Sequence, residues 1–152
     1  MGRISASSWV QHRNPFRRRM IMAMGKIMVV DDERNVRDII RLQLEQRGFN
    51  ILEADDGERA IEILKEGNNF VSVGLILCDI RMPKVNGIEV IDYLKREAPG
   101  VPIVVLTGYP DTELAVSLMK KGVKDYLVKP IDKAKLLETV DSVVAAGKDF
   151  EY

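Results

Sequence analysis

"LILCDIRMPKVNG", residues 75–87, is the stretch of sequence that decides the fold. An apolar run leads directly into Asp79, and a Met-Pro pair and an Asn-Gly pair follow it. A continuous apolar run is typical of a strand that is buried on both faces of a parallel sheet. The carboxylate at its end needs a partner or a chemical task, because burying an unpaired charge is costly.

The rest of the chain alternates short apolar runs with amphipathic segments. Strands are predicted at 26–30, 49–54, 75–79, 102–107 and 124–128. Helices are predicted at 33–47, 56–67, 86–97, 111–121 and 132–146, with Asp111 and Asp132 as N-caps. Strict alternation predicts an α/β fold: a doubly wound, five-stranded parallel sheet of order 2-1-3-4-5 with five helices, flavodoxin-like. Ala115, Leu118 and Met119 are expected to face inward, and segment 68–74 is either a longer loop or an early start of the third strand.

Length and charge point to one domain with a basic leader. The chain has 152 residues and no net charge, but residues 1–23 carry five Arg and no acid, which leaves the remainder at −5. A body of that charge disfavours direct nucleic-acid binding. We therefore predict a basic extension (1–23), one domain (24–147) and a tail (148–152). The leader is interpreted as an upstream-start extension, a basic interaction arm or a targeting peptide.

The single cysteine, Cys78, lies inside the apolar run. Its position predicts a small core residue rather than a nucleophile. One Cys also excludes an internal disulfide framework and favours a cytoplasmic location. The chain has no apolar run long enough to span a membrane, so no membrane association is expected.

Polar residues follow four of the predicted strands. Asp31 and Asp32 end the first, Asp79 the third, Thr107 the fourth and Lys129 the fifth. Because the carboxyl ends of parallel strands meet at one edge, these side chains are expected to share a crevice. Three converging carboxylates without His or Cys favour a hard cation, Mg²⁺ (or Mn²⁺).

A cation, the Lys129 ammonium and the Thr107 hydroxyl together form a cradle for a phosphoryl group. Asp79, on the central strand, is then the candidate nucleophile that forms an aspartyl phosphate. A dinucleotide site is excluded, since "DDERNV" follows the first strand where glycines would be required. A dehalogenase-type phosphatase is disfavoured because Arg81 stands where the second Asp would be. A purely structural cluster of surface carboxylates is disfavoured by four matching strand ends in the right order.

The motifs "VVDDE", "LCDIRMPKVNG", "VLTGY" and "DYLVKP" occur in this order, and with them residues 25–147 resemble the receiver domain of two-component response regulators. The resemblance implies that Asp79 accepts phosphate from a histidine kinase or a phosphotransfer domain. It implies that Thr107 and Lys129 bind the phosphoryl oxygens. The implied metal ligands are Asp32 directly, Asp31 through water, Asp79, and the backbone carbonyl of Arg81.

The same resemblance implies a conformational switch. Tyr126 would fill space vacated when Thr107 moves toward the phosphoryl group, although a half-buried strand aromatic is the simpler interpretation. The changed surface would be residues 111–146, which could also form a homodimer. The resemblance further implies a cis Lys129-Pro130 bond. Arg81 and Tyr109 are bulky residues flanking the path of attacking water, and we expect them to slow dephosphorylation.

Three functions stay open from sequence alone. The first is a stand-alone receiver that slowly dephosphorylates itself and is not a classical enzyme. The second is a receiver cut from a longer protein that carries an effector domain. The third is a metal-binding interaction scaffold that is never phosphorylated.

Overall fold

The structure is a computed structural model, and it describes residues 25–81, 87–97 and 99–148. The strands are β1 (Lys26–Val30), β2 (Asn50–Ala54), β3 (Val73–Asp79), β4 (Ile103–Thr107) and β5 (Asp125–Val128). Within those ranges the helices are α1 (Arg34–Glu45), α2 (Gly57–Lys65), α3 (Asn69–Ser72), α4 (Gly87–Glu97), α5 (Thr112–Lys120) and α6 (Lys133–Lys148).

The strands form one parallel sheet in the order β2-β1-β3-β4-β5. This confirms the predicted doubly wound architecture and strand order. β3 lies between β1 and β4, and Asp79 pairs in register with Leu106 of β4. The carboxylate of Asp79 therefore leaves the sheet at the middle of its carboxyl edge, where the winding of the chain reverses.

The residues of β3 alternate between two hydrophobic clusters, one on each face of the sheet. Ile76 and Cys78 belong to the cluster shared with α2 and α4, whereas Leu75 and Leu77 belong to the cluster shared with α1 and α6. Both faces of the strand are covered, which explains why its sequence is apolar throughout. Cys78 is fully buried, and burial raises the pKa of its thiol, so the core interpretation is confirmed.

The predicted caps at the two C-terminal helices are confirmed. Asp111 Oδ1 accepts hydrogen bonds from the backbone N–H groups of Glu113 (2.9 Å) and Leu114 (3.3 Å). Asp132 Oδ2 accepts one from the N–H of Lys135 at 2.9 Å. These carboxylates satisfy N–H groups that have no partner within the helix, and so they fix where α5 and α6 begin.

Segment 68–74 contains both a helical turn and the start of a strand. α3 is a single turn, and β3 begins at Val73, two residues before the predicted start. The buried Asn69 holds the turn: its Nδ2 donates to the carbonyl of Ile63 at 2.6 Å, and its Oδ1 accepts from Lys26 Nζ at 3.2 Å. A four-residue helix is too short to show periodicity, which is why the sequence did not predict it.

One residue of α5 is oriented differently from the prediction. Leu118 is buried, but 48% of the surface of Met119 is exposed. The inward stripe runs through Leu114, which packs on the core, and Leu118 one turn later. Met119 lies at the edge of that stripe, so its inward prediction was wrong.

Several predictions lie outside the described residues. They concern the extension 1–23, residues 82–86 and the end of the tail, 149–152, and the domain boundaries stay predictions. The Lys129-Pro130 bond is cis, as the resemblance implied. No helix of the described part is both long enough and apolar enough to cross a membrane.

Candidate functional site

Four acidic residues meet at the carboxyl edge of the sheet. Asp31, Asp32, Glu33 and Asp79 each offer a carboxylate oxygen, and these oxygens lie within 4.8 Å of one another. Asp31 and Asp79 are buried, whereas Asp32 and Glu33 are exposed. The structure therefore brings together the three predicted acids, adds Glu33, and leaves one side of the cluster open to solvent.

Lys129 places its ammonium among these carboxylates. Its Nζ lies 2.7 Å from Asp31 Oδ2, 3.0 Å from Asp79 Oδ2 and 3.1 Å from Glu33 Oε1. The backbone N–H of Lys129 also donates to the carbonyl of Thr107 at 2.7 Å, which fixes the start of the side chain. Burial alone would lower the pKa of Lys129, but hydrogen bonds to Asp31 and Asp79 outweigh it and raise the pKa. Lys129 therefore stays charged at neutral pH.

Asp31 is the most deeply buried acid of the cluster. Burial raises its pKa, against the opposing effects of Lys129 and of the Glu33 N–H, which donates to Asp31 Oδ1 at 2.8 Å. The raised pKa means that the ionised form is not fully compensated by these partners. A further cation beside Asp31 would stabilise its carboxylate.

Asp79 has one described partner at each carboxylate oxygen. Oδ1 accepts from the backbone N–H of Arg81 at 2.9 Å, and Oδ2 pairs with Lys129. Asp79 is only 4% exposed, and it lies at the carboxyl edge of the sheet beside the exposed Asp32. A carboxylate fixed at both oxygens is held in one orientation for reaction.

The donor set fits a hard divalent cation. All four acidic side chains offer oxygen, and no described His or Cys sulfur contributes to the cluster. Mg²⁺ binds such oxygens and keeps several waters, for which the exposed side of Asp32 leaves room. The N–H of Arg81 faces Asp79, while the carbonyl of Arg81 stays a predicted ligand.

Thr107 ends β4, and its hydroxyl is engaged by its own turn. Oγ1 donates to the carbonyl of Tyr109 at 3.2 Å and accepts from the Tyr109 N–H at 3.1 Å. The side chain is buried. To bind any other acceptor, the hydroxyl has to release the Tyr109 carbonyl.

Arg81 and Tyr109 stack on each other. The guanidinium carbon of Arg81 lies 4.3 Å from the centroid of the Tyr109 ring, and that ring is 64% exposed. This cation–π contact joins the loop after Asp79 to the loop after Thr107. The two residues predicted to slow dephosphorylation thus form a single unit.

Tyr126 lies on β5 and borders a small cavity. Thr107, Val105 and Leu118 line the same cavity, whose volume is about 10 Å³. That volume is near the minimum for one water molecule and far too small for a phenol ring. The Tyr126 ring, which is partly exposed, can enter only if Thr107 or its neighbours move.

Two residues near the site were not assigned a role from the sequence. Glu33 follows the acid pair directly, so the signal was present, but its contact with Lys129 spans 96 positions in the chain. Arg37 lies on the polar face of α1, and its Nη1 donates to the backbone carbonyl of Asp31 at 2.7 Å. Nothing in one sequence separates Arg37 from an ordinary solvated arginine.

The sequence matches a family model described as the response regulator receiver domain over residues 27–141. The chain is 33% identical to the transcriptional regulatory protein FixJ of Bradyrhizobium diazoefficiens over 79% of this chain and 57% of that protein. It is 34% identical to the transcriptional regulatory protein ZraR of Escherichia coli over 78% of this chain and 26% of that protein. The chain therefore spans only part of the length of these relatives.

Solved structures agree in fold. The response regulator receiver protein of Pseudomonas putida is 36% identical, with a TM-score of 0.72 over 79% of this chain and 98% of that one. The receiver domain protein of Clostridium thermocellum is 30% identical, with a TM-score of 0.74 over 82% of this chain and 97% of that one. Both alignments include almost all of the solved chain, so the similarity covers the complete domain.

Proposed function

Because this chain belongs to the response regulator receiver domain family, we propose that it is a phosphorylation-dependent switch in which Asp79 accepts a phosphoryl group. The donor is the phosphohistidine of a histidine kinase or of a phosphotransfer domain. One observation carries the proposal. The Asp79 carboxylate lies 3.0 Å from the Lys129 ammonium and belongs to a cluster with three further acids, whose carboxylate oxygens all lie within 4.8 Å of one another.

In the proposed reaction, an oxygen of Asp79 attacks the phosphorus while the bond from phosphorus to the histidine nitrogen breaks. The imidazole leaves with the bonding electron pair, and Asp79 becomes an aspartyl phosphate. Asp31, Asp32, Asp79 and the Arg81 carbonyl would hold Mg²⁺ or Mn²⁺, which supplies positive charge for the phosphoryl oxygens. The ion pairs of Lys129 hold its ammonium ready for the same oxygens.

Two residues change partners in this proposal. Lys129 exchanges its contact with Asp79 for a phosphoryl oxygen. Thr107 releases the Tyr109 carbonyl, to which it donates at 3.2 Å, and donates to another phosphoryl oxygen. Its displacement enlarges the cavity of about 10 Å³, and the Tyr126 ring enters the space.

The signal leaves through residues 111–146. Val116, Met119 and Val128 are exposed apolar residues of this segment, and they offer a surface for a partner or for a second copy of the chain. The relatives FixJ and ZraR are transcriptional regulatory proteins that extend beyond the matched part. We infer that a partner or an effector domain receives the signal, that the protein is cytoplasmic, and that this domain does not bind nucleic acid directly.

The test is phosphorylation by a small donor. The protein is incubated with Mg²⁺ and acetyl phosphate, and its intact mass is measured. Wild type is expected to gain one phosphoryl group, Asp79→Asn none, and a chelator should prevent the gain. Asp79→Asn keeps the size of the side chain, so its unfolding midpoint controls for folding.

A scaffold that is never phosphorylated predicts the opposite result. No mass gain in wild type, and no change in the Tyr126 environment on addition of beryllofluoride and Mg²⁺, would contradict the proposed switch. A mass gain that persists in Asp79→Asn would contradict Asp79 as the acceptor.

A further inference from the structure

Arg37 connects the cation site to the edge of the sheet. Its Nη1 donates to the backbone carbonyl of Asp31 at 2.7 Å, and its Nε donates to Glu53 Oε1 at 3.3 Å. The side chain of Arg37 is only 15% exposed. A charge-assisted hydrogen bond from a largely buried guanidinium is stronger than one between neutral groups.

The Asp31 carbonyl belongs to the peptide unit that joins Asp31 to Asp32. The N–H of Asp31 continues the sheet by donating to the carbonyl of Ala54 at 3.0 Å, so one end of the residue is fixed by β2. The Arg37 contact fixes the other end, the peptide unit between Asp31 and Asp32. Asp32 itself is exposed, so the direction of its side chain depends on the orientation of that peptide.

Glu53 holds Arg37 in turn. It lies on β2, beside Val29 of β1, and its second oxygen accepts from Arg41 Nη1 at 2.9 Å. Glu53 therefore binds two arginines of α1, one through each oxygen. Arg37 also contacts the Asp31 carbonyl, whereas Arg41 contacts Asp38 instead, at 3.0 Å.

We propose that Arg37 is a positioning residue for the cation site: it orients the Asp31–Asp32 peptide and thereby sets the affinity for Mg²⁺. This inference rests on the proposed function, in which Asp31 and Asp32 hold the cation. Arg37 touches neither the phosphoryl group nor the predicted ligand oxygens of the side chains. Its effect is transmitted through one backbone carbonyl.

The positive charge of Arg37 affects Mg²⁺ affinity in the direction opposite to the positioning contact. A guanidinium near a dication repels it, so loss of the charge alone would tighten Mg²⁺ binding. Loss of the positioning contact would weaken it. The sign of the change in affinity therefore distinguishes the two effects.

The experiment compares Arg37→Ala with Arg41→Ala by calorimetric titration of Mg²⁺ into the full chain without a phosphodonor. Both variants lose a partner of Glu53, but only Arg37→Ala loses the contact with the Asp31 carbonyl. Arg37→Ala is expected to weaken Mg²⁺ binding roughly 10-fold, as is typical when a group orienting a metal ligand is removed. Arg41→Ala is expected to stay within about twofold of wild type.

Phosphorylation provides a second readout. For Arg37→Ala, the Mg²⁺ concentration giving half-maximal phosphorylation by acetyl phosphate should rise by the same factor as the dissociation constant. The rate at saturating Mg²⁺ should be unchanged, because Asp79, Thr107 and Lys129 are intact. A general loss of folding would instead lower the rate at all Mg²⁺ concentrations.

Urea unfolding in a chelator checks that the variants fold. Should Arg37→Ala fail to fold, Arg37→Lys decides: it keeps the charge but cannot contact Glu53 and the Asp31 carbonyl through separate nitrogens, so weaker Mg²⁺ binding is expected there too. Unchanged or tighter binding in a folded Arg37 variant, or equal weakening in Arg41→Ala, would overturn the positioning role. Absence of Mg²⁺ binding in wild type would instead contradict the proposed function itself.

Discussion

Helices α1 and α5 lie at different parts of the sheet and are held in different ways. α1 buries Ile40 and Leu44 completely, and two of its arginines bind Glu53 of β2. α5 buries only Leu118 among its residues, while Val116 is 49% exposed. The first helix is anchored by both its apolar and its polar face, and the second by the buried Leu118, the partly buried Leu114 and its N-cap.

The difference matches what each helix is proposed to do. α1 follows the acid pair, whose oxygens have to keep a fixed geometry for a cation. α5 follows Thr107, which has to move, and it carries part of the surface that is expected to change. Segments that rearrange are drawn from the less stable parts of a protein, because their contacts are broken in each cycle.

The largest expected effect tests the anchoring directly. Ile40→Ala on α1 should lower the free energy of unfolding by about 2–5 kcal/mol, since it leaves a cavity in a packed core. Met119→Ala on α5 should change it by less than about 0.5 kcal/mol. Urea unfolding measures both, and alanine is a good helix former in either position. An equal loss in the two variants would show that Met119 is as tightly packed as Ile40, against its exposed position on α5.

A smaller effect concerns the free-energy cost of burying the Asp31 carboxylate, which lies in the acid pair before α1. Burial raises the pKa of Asp31 in the folded protein above its value in the unfolded chain. The folded state thus binds this proton more tightly, and the contribution to stability is complete below the unfolded pKa of about 4. That contribution is lost as the pH rises through the folded pKa.

Asp31→Asn cannot titrate, so its stability relative to wild type should increase as the pH rises from about 4 toward neutrality. Unfolding in urea, with a chelator present, measures this difference at each pH. A difference that stays constant, or that falls with pH, would show that Asp31 is not destabilised by its burial.

The smallest effect concerns Arg81 and Tyr109, whose contact joins the loop after Asp79 to the loop after Thr107, which precedes α5. The double variant Arg81→Ala/Tyr109→Ala should shorten the lifetime of the aspartyl phosphate, because water then reaches the phosphorus more freely. Loss of an exposed cation–π contact of about 0.5–1 kcal/mol corresponds to a two- to fivefold faster decay. Decay of the acyl phosphate is followed by mass after removal of the donor, and equal or slower decay in the variant would contradict this role.

Much of the fold could be predicted from the sequence because the relevant signals are local. Apolar runs such as 75–79 mark buried strands, and Asp111 and Asp132 mark helix starts within a few residues. The strict alternation of strands and helices predicts a doubly wound parallel sheet, for which 2-1-3-4-5 is one of the common strand orders. α3 was not predicted, because its single turn is held by the side chain of Asn69 and has no periodic pattern of apolar residues.

The site was predictable only as far as topology brings strand ends together. Asp31, Asp79 and Lys129 were expected to meet, and they do. The contacts of Glu33 with Lys129 and of Arg37 with Glu53 could not be predicted, since each depends on side-chain directions across different elements. A single sequence does not indicate the directions in which these side chains point.

The turn made by Thr107 has a consequence for the unstimulated protein. Its hydroxyl already donates one hydrogen bond, to the Tyr109 carbonyl, and in the proposed active form it would also donate one. An unphosphorylated molecule has no phosphoryl oxygen to accept it, so moving Thr107 there leaves the buried hydroxyl without this hydrogen bond, at a cost of about 1–3 kcal/mol. We therefore expect a low basal signal: only a minor share of unphosphorylated molecules has the Tyr126 ring inside, and phosphorylation enlarges that share rather than creating it.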